Sequence, residues 1–338
     1  RIQWHLDNDV IPVVPSRGSV GASGDLAPLA HLFLPLVGLG TVMVNGEEKM
    51  TIEVLRQHGL EPIQLGPKEG LALINGTQFI LSWAVQDLWA MNNCLQAADI
   101  IGAMSLEALT GTKAPFDPRL HDLRPYSGSK LVAQRLRMLL DGSDIMQSHV
   151  DCGRVQDPYS LRCMPQVHGA VWDAVSYASR VVEIESGSAT DNPLVFPDEH
   201  EVLSGGNFHG APLSHAFDFA AIALCDLASI IERRIDRLVN PDLNEGLPPF
   251  LTTHPGACSG FMIAHVTAVA LLNECKVLAH PSSVDNVPTS GGKEDHVSMG
   301  THAAVKARTV VEHVETILGI ELLCAAQGVD LRRPLRGG

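Results

Sequence analysis

The chain has little basic charge, no paired-cysteine motif, no clustered metal ligands and no long apolar run free of Asp, Glu or His. It carries 24 Lys and Arg against 38 Asp and Glu, a formal charge of −14, which argues against nucleic acid because phosphate binding needs clustered basic residues. The seven cysteines lack C-x-x-C spacing, which indicates reduced thiols in a cytoplasmic protein rather than a disulfide framework. The 15 histidines form no H-E-x-x-H motif, so no metal site is predicted, and the interrupted apolar runs predict no membrane span.

What the chain does have is apolar residues at helical spacing. Apolar residues make up 45% and charged residues 18%, which is ordinary for a soluble globular protein. Residues 214–239 repeat apolar side chains at steps of three and four, and residues 259–279 and 297–327 show similar patterns. Residues 69–109 favour one long helix or two in succession, and residues 194–203 predict a small β-hairpin. The sequence therefore predicts a mainly α, long-helix bundle with functional residues in loops and at helix ends.

Turn-forming residues divide the N-terminal part of the chain into short elements. The stretch up to Val20 is predicted to be loop, and Asp25 is a plausible N-cap for an apolar helix that ends near Gly38. A turn at residues 44–47 and a short helix over residues 51–58 follow.

The most informative stretch is residues 18–25, Gly-Ser-Val-Gly-Ala-Ser-Gly-Asp. Its glycines at three-residue spacing fit a tight, flexible loop. A phosphate-binding loop would need Lys followed by Ser or Thr after the last glycine, and Asp25-Leu26 stands there instead. A G-x-S-x-G nucleophile elbow fails because Asp25 occupies the final glycine position. The residues alone therefore leave a plain glycine loop and a functional loop both open.

Residues 21–31, Gly-Ala-Ser-Gly-Asp-Leu-Ala-Pro-Leu-Ala-His, resemble the signature of the aromatic amino acid ammonia-lyase family, which includes histidine and phenylalanine ammonia-lyases and related aminomutases. In that family the Gly amide nitrogen attacks the Ala carbonyl carbon and two waters leave, which gives a methylidene-imidazolone electrophile without an added cofactor. The resemblance implies that Ala22, Ser23 and Gly24 form this group. The residue types suit the chemistry, since Ala and Gly permit a close backbone approach and the Ser hydroxyl is lost to make the alkene. A helix N-terminus at Asp25 would place its positive dipole beside the ring.

Asn75 lies in the segment Leu-Ile-Asn-Gly-Thr-Gln, residues 73–78, which resembles the family segment whose Asn contacts the electrophile or the substrate. On the residues alone, Asn-Gly-Thr matches a glycosylation sequon, which counts as a coincidence without a secretory signal, and a turn-forming Asn-Gly pair is the stronger alternative. The resemblance implies that Asn75 binds the substrate.

The second strong block begins at Gln156. Asp157 and Pro158 suit an N-cap and a first helical position, and Tyr159 and Arg162 then lie three apart on one helix face. A guanidinium at a helix N-terminus can bind a carboxylate, and a surface Arg beside a core Tyr is the plainer alternative. The resemblance implies that Arg162 binds the substrate carboxylate, that Tyr159 supplies a catalytic phenol and that Gln156 lies near the side-chain pocket.

Two further segments complete the resemblance. Residues 205–210, Gly-Gly-Asn-Phe-His-Gly, resemble the family loop whose Phe packs close to the electrophile, and a glycine-rich turn anchored by Phe208 is the alternative. Residues 293–300 resemble the block that carries a functional Glu in histidine ammonia-lyases, which implies that Glu294 contacts the substrate. Glu294 and Asp295 could also be acidic capping of the helix that follows.

The resemblance extends to the substrate. The blocks around Tyr159 and Glu294 are most similar to the histidine-specific members, and a carboxylate can hydrogen-bond an imidazole but has no such partner on a phenyl ring. One departure is Gly291-Gly292-Lys293, where many members carry Ala-Asn-Gln. The resemblance implies a carbon–nitrogen lyase that converts L-histidine into urocanate and ammonia. A tyrosine or phenylalanine ammonia-lyase, an aminomutase and a catalytically silent helical homologue are the alternatives.

The resemblance also implies the long-helix fold of the ammonia-lyase (fumarase/aspartase-like) type, in a cytoplasmic homotetramer whose active sites draw on more than one subunit. Residues 1–338 are expected to form a single catalytic core region, truncated at both ends, because the family's N-terminal tyrosine loop has no counterpart here. That tyrosine is usually taken as the base, so the resemblance leaves open whether this region is active alone.

Overall fold

The computed structural model describes all 338 residues and confirms a mainly α chain with two small sheets. The helices are α1 (Ile2–Asp7), α2 (Leu26–Phe33), α3 (Thr51–Gln57), α4 (Glu69–Ile74), α5 (Gln78–Ala108), α6 (Pro118–Asp122), α7 (Ser127–Leu139), α8 (Asp144–Ser148), α9 (Tyr159–Arg162), α10 (Met164–Ser186), α11 (Ala211–Val239), α12 (Met262–Leu278) and α13 (Gly300–Asp330). The strands are β1 (Ile11–Pro12), β2 (Thr41–Val44), β3 (Glu47–Met50), β4 (Leu194–Phe196) and β5 (Glu201–Leu203). Short 3-10 turns cover Leu34–Val37, Ala114–Phe116, Pro249–Leu251 and Ser290–Gly292.

The long helices follow the apolar periodicity of the sequence. Helices α11, α12 and α13 begin and end within three residues of their predicted limits, and the apolar stripe of α11 is buried, with Phe217, Leu224 and Ile231 fully inaccessible. The helical stretch from residue 69 is two helices, because the chain breaks at residues 75–77 between α4 and α5. The 23-residue helix α10 was not predicted from the sequence.

Both sheets are antiparallel. The predicted hairpin is confirmed, with Leu194 paired to Leu203 across β4 and β5. Strands β2 and β3 join through Asn45 and Gly46, whose φ values of 52° and 79° are those of a tight hairpin turn. The prediction of loop up to Val20 is wrong, since that stretch contains α1 and β1, and β1 pairs with β2.

The chain divides into two compact units, each made of three segments. Unit 1 comprises Arg1–Val85, Val181–Ala216 and Pro281–Val305, and unit 2 comprises Gln86–Arg180, Phe217–His280 and Lys306–Gly338. In unit 1, Val10, Val42 and Val54 are buried together, with Trp4 packed against them. In unit 2 the core is formed by aliphatic side chains of the long helices, such as Leu95 and Val314. The single catalytic region expected from the sequence stays a prediction.

Helix α11 is the one helix that is long and apolar enough, by length and composition, to cross a membrane. Of the 18-residue window that meets this criterion, 61% is buried inside the protein. The core helix of a globular protein passes the same test.

Candidate active site

The tripeptide loop, residues 18–25, has a backbone that favours small residues. Gly21, Ser23 and Gly24 have positive φ values of 80°, 49° and 73°. This left-handed region costs an ordinary L-residue about 1–2 kcal/mol, so Ser23 is held in a strained conformation. A Cβ on Gly24 would lie 2.2 Å from the carbonyl oxygen of Gly76. Glycine is therefore required at position 24 by close backbone packing as well as by φ.

Asp25 anchors this loop from a fully buried position. Its carboxylate accepts hydrogen bonds from Ser19 Oγ (2.7 Å), the Ile80 amide (2.9 Å) and Thr301 Oγ1 (2.8 Å). Burial raises the pKa of Asp25, although these three hydrogen bonds oppose the rise. Asp25 occupies the predicted N-cap position of α2, but its side chain makes no capping bond to that helix and instead joins the loop to α5 and α13. Its own amide donates to the carbonyl oxygen of Gly76 at 2.8 Å.

Glu294 contacts the tripeptide directly. Ser23 Oγ donates to Glu294 Oε1 at 2.6 Å, Thr289 Oγ1 donates to Oε2 at 2.8 Å, and Ser290 Oγ also donates to Oε2. These bonds favour the ionised form and lower the pKa of Glu294, the Ser23 bond most of all. All three partners are hydroxyl groups, so the alternative that Glu294 caps the next helix is not what the structure shows. The result is an ionised carboxylate held against the tripeptide.

Asn75 is buried at the end of α4, with 4% of its surface exposed. Its Nδ2 donates to the Asn192 carbonyl oxygen (2.8 Å) and to Asp191 Oδ1 (3.2 Å). Both partners are acceptors, so exchanging the positions of Oδ1 and Nδ2 would place Oδ1 next to two oxygen atoms. Asn75 Oδ1 is buried and has no hydrogen-bond partner. The side chain therefore offers one free acceptor beside Gly76, which contacts the tripeptide loop.

Phe208 lies in a half-buried turn that is tied to the Glu294 segment by its neighbour. The rings of His209 and His296 stack at 6.0 Å with an interplanar angle of 3°, and His209 Nε2 lies 3.2 Å from the His296 carbonyl oxygen. The Ala211 amide donates to His209 Nδ1 at 3.3 Å, which assigns the ring proton to Nε2. His209 therefore joins the loop of Phe208 to the segment that carries Glu294.

Gln156, Tyr159 and Arg162 belong to unit 2. The Arg162 guanidinium lies over the Tyr159 ring at 4.6 Å, which confirms that the two side chains share a face. Tyr159 is 70% exposed, whereas Arg162 Nε is buried without a partner. Gln156 and Arg162 line a cavity of about 380 Å³. The prediction that Asp157 caps this helix is wrong, because its carboxylate accepts from the Thr112 amide (2.7 Å) and the N-cap position is Pro158.

The predicted site residues therefore fall into two groups. Unit 1 contains the tripeptide, Asn75, Phe208 and Glu294, and unit 2 contains the other three residues. Within unit 1 the direct contacts run from Ser23 to Glu294 and from Gly24 to Gly76, next to Asn75.

Sequence reasoning missed a serine that packs behind the tripeptide. Ser298 is 4% exposed, and its Oγ would lie 2.0 Å from a Cβ on Gly21, 3.1 Å from one on Gly210 and 3.3 Å from one on Gly300. Three glycines from separate segments thus leave room for one hydroxyl. No local pattern signals this arrangement, because Gly21 and Gly210 are far from Ser298 in the chain.

Comparison with known proteins identifies the family. A family model described as aromatic amino acid lyase matches residues 1–338, which confirms the resemblance. The chain is 53% identical over 333 residues to a histidine ammonia-lyase of Stigmatella aurantiaca, covering 98% of this chain and 65% of that protein. It is 54% identical over 334 residues to one of Deinococcus radiodurans, covering 98% and 63%. The chain thus spans about two thirds of the length of these curated relatives.

Solved structures confirm the predicted ammonia-lyase fold. A histidine ammonia-lyase from Trypanosoma cruzi matches with a TM-score of 0.89 and 48% identity, covering 97% of this chain and 62% of that chain. A tyrosine aminomutase from Streptomyces globisporus matches with a TM-score of 0.91 and 38% identity, covering 98% and 66%. A phenylalanine aminomutase from Pantoea agglomerans matches with a TM-score of 0.92 and 31% identity, covering 97% and 67%. Backbone similarity is nearly equal in the three, so sequence identity distinguishes them better than shape does.

Proposed function

The chain belongs to the aromatic amino acid lyase family, and on that premise we propose that it carries the core of an enzyme that eliminates ammonia from L-histidine to give urocanate. The observation that carries the choice of substrate is the hydrogen bond between Ser23 and Glu294, at 2.6 Å. An ionised carboxylate beside the tripeptide can accept an imidazole N–H, for which a phenyl ring has no equivalent. More than 50% identity to curated histidine ammonia-lyases over 98% of the chain supports the same substrate.

The tripeptide loop fits a self-formed methylidene-imidazolone. The positive φ values of Ser23 and Gly24 and the Cβ-free contact between Gly24 and Gly76 support a cramped backbone turn of the kind that the condensation needs. In this proposal the Gly24 nitrogen bonds to the Ala22 carbonyl carbon, and two waters are lost. One water contains the Ala22 carbonyl oxygen and the other contains the Ser23 hydroxyl oxygen. The group, once formed, supplies an electrophile for the substrate's amino group, and no cofactor is added.

The surrounding side chains of unit 1 suit the amino and imidazole groups of the substrate. Asn75 Oδ1 is the only polar atom of its side chain that lacks a partner, and it accepts an amino N–H in this proposal. Loss of the Ser23 hydroxyl frees Glu294 Oε1, while Thr289 and Ser290 keep the other oxygen in place. Phe208 shapes the same site.

The predicted site residues of unit 2, Gln156, Tyr159 and Arg162, suit the carboxylate of the substrate. Arg162 has a buried Nε without a partner, and a guanidinium pairs with a carboxylate through parallel N–H bonds. Elimination breaks the substrate's Cα–N bond, removes one proton from Cβ and leaves the double bond of urocanate. Tyr159 Oη is the proposed phenol that moves a proton, and Gln156 lies on the cavity shared with Arg162.

The cytoplasmic homotetramer with shared active sites is part of the same proposal. Large apolar side chains exposed on the long helices support association, among them Trp89 (71%), Ile263 (61%) and Leu323 (58%).

The experiment offers the purified protein L-histidine, L-tyrosine and L-phenylalanine separately and follows the absorbance of urocanate, coumarate and cinnamate. The proposal predicts urocanate from L-histidine and no product from a matched Ser23→Ala variant. Coumarate or cinnamate as the main product would identify a different substrate, and no product from any of the three would contradict the proposed activity.

A further inference from the structure

Four long helices each contribute one ionisable side chain to a buried charge cluster in unit 2. Its members are Asp99 of α5, His168 of α10, Arg234 of α11 and Glu321 of α13, and none is more than 1% exposed. Arg234 Nε and Nη2 donate to the two oxygens of Glu321 at 2.5 and 3.0 Å. Arg234 Nη1 lies 3.2 Å from His168 Nε2, and His168 Nδ1 lies 3.0 Å from Asp99 Oδ1. The cluster is therefore continuous from α5 to α13.

The protonation state of the cluster follows from its donors. A guanidinium only donates, so His168 Nε2 must accept from Arg234, and the ring proton lies on Nδ1, where it is donated to Asp99. Burial lowers the pKa of His168, which favours this neutral ring. Arg135 Nη1 donates to the second oxygen of Asp99 at 3.1 Å. Two carboxylates then face two guanidinium groups, so the charges of the cluster and of the half-buried Arg135 balance.

The cluster contacts both ends of the segment that carries the proposed carboxylate site. Arg234 Nη1 lies 3.5 Å from the carbonyl oxygen of Ser160, which is inside α9 between Tyr159 and Arg162. His168 lies six residues after Arg162, in the second turn of α10, and only Cys163 separates the two helices. One guanidinium and one imidazole thus hold residues 159–168 against the core of unit 2.

This segment needs an external support. Helix α9 has four residues, which is too short to be stable alone. The Tyr159 ring is largely exposed, and the Arg162 guanidinium lies over that ring, with its Nε unpaired. Neither side chain therefore fixes the direction in which the pair points.

We propose that Arg234 and His168 are positioning residues that fix the Tyr159–Arg162 pair for the substrate carboxylate. The inference rests on the proposed function for the identity of the ligand, but the support itself is a property of unit 2. Loss of Arg234 loosens residues 159–168 and lowers the preference for ligands that bear a carboxylate.

The variants must separate positioning from loss of folding. Arg234→Met alone leaves Glu321 buried without its partner, which is strongly destabilising, so the main variant combines Arg234→Met with Glu321→Gln. The matched control is Lys306→Met with Asp218→Asn, which removes another largely buried ion pair (2.6 Å) on the same two helices. Arg234→Lys keeps the charge but loses the fork, and it gives an intermediate effect.

Two readouts decide the matter. Hydrogen–deuterium exchange of the native protein measures the amides of residues 159–168. Equilibrium binding in a Ser23→Ala background compares L-histidine with histamine, which lacks the carboxylate. We expect exchange in this segment at least tenfold faster in the main variant, and an affinity ratio of L-histidine over histamine that falls about tenfold, with neither change in the control.

Unchanged exchange would overturn the proposal, and so would faster exchange with an unchanged affinity ratio. If neither ligand binds the protein that carries Ser23→Ala alone, the proposed function fails instead. The exchange readout then still decides whether the cluster supports α9.

Discussion

Asp87 is a buried acid that makes the stability of this protein depend on pH. It lies on α5 with no exposed surface, and neither carboxylate oxygen has a hydrogen-bond partner. Burial raises its pKa from 3.8 to about 8, with Arg308 lowering it and Glu312 raising it to a smaller extent. At neutral pH the folded protein therefore holds a proton on Asp87 that the unfolded chain releases.

The size of the effect follows from linkage. The folded pKa is raised, so the contribution to stability is fully present below pH 3.8 and is lost as pH rises towards 8. Each pH unit within this window corresponds to about 1.4 kcal/mol, which gives about 3 kcal/mol between pH 5 and pH 7 as an upper bound. Asn is a neutral substitute of similar size, and Asp87→Asn removes this pH dependence. The unfolding free energy of the variant, relative to that of the wild type, should therefore increase as pH rises and level off above pH 8.

The assay is urea unfolding of wild type and Asp87→Asn at unit steps from pH 5 to pH 9. Asp151→Asn is the control, because it makes the same substitution at an exposed position. The difference in unfolding free energy should rise with pH for Asp87→Asn and stay flat for Asp151→Asn. A flat difference for Asp87→Asn, or one that falls with pH, would refute the reasoning.

Three further predictions concern the proposed active site. Gly24→Ala places a Cβ 2.2 Å from the Gly76 oxygen, so the loop should fail to condense and the intact mass should equal that of the unmodified sequence. A mass lower by two waters would contradict the requirement for glycine at position 24. Glu294→Gln replaces a charged acceptor and should lower imidazole affinity about tenfold by calorimetry, whereas equal affinities would argue against Glu294 as the imidazole partner. Asn75→Ala in a Ser23→Ala background should reduce the advantage of L-histidine over imidazolepropionate, which lacks the amine, and an unchanged ratio would exclude Asn75 Oδ1 as the amine acceptor.

The sequence predicted those elements whose residues repeat apolar side chains at helical spacing or alternate around a turn. The apolar stripe of α11 and the hairpin at residues 194–203 are encoded in short windows, and the structure confirms both. Helix α10 was missed, as were the strands β2 and β3, which are four residues long and include the charged run Glu-Glu-Lys. The two strands pair with each other across Asn45-Gly46, and the charged run of β3 hides the alternation of apolar and polar residues from which strands are predicted.

Two aspartates that were expected to cap helices make no capping bond, for the same reason. Asp25 and Asp157 each precede a helix and look like N-caps, yet both carboxylates bind distant backbone amides, of Ile80 and Thr112. A sequence pattern shows the local backbone amide that an aspartate could bind, but not the distant amide that competes for it. The contact between Ser23 and Glu294 spans 271 positions, so the family resemblance could name both residues but not the hydrogen bond between them.

The origin of the electrophile in Ala22, Ser23 and Gly24 is tested by the intact mass of the purified protein, measured together with urocanate formation from L-histidine. A self-formed ring gives a mass two waters below that of the unmodified sequence, restored to the unmodified value in Gly24→Ala, and urocanate forms only with the protein of lower mass. An unmodified mass in a folded protein that nonetheless releases urocanate would contradict the assignment of Ala22, Ser23 and Gly24 as the source of the electrophile.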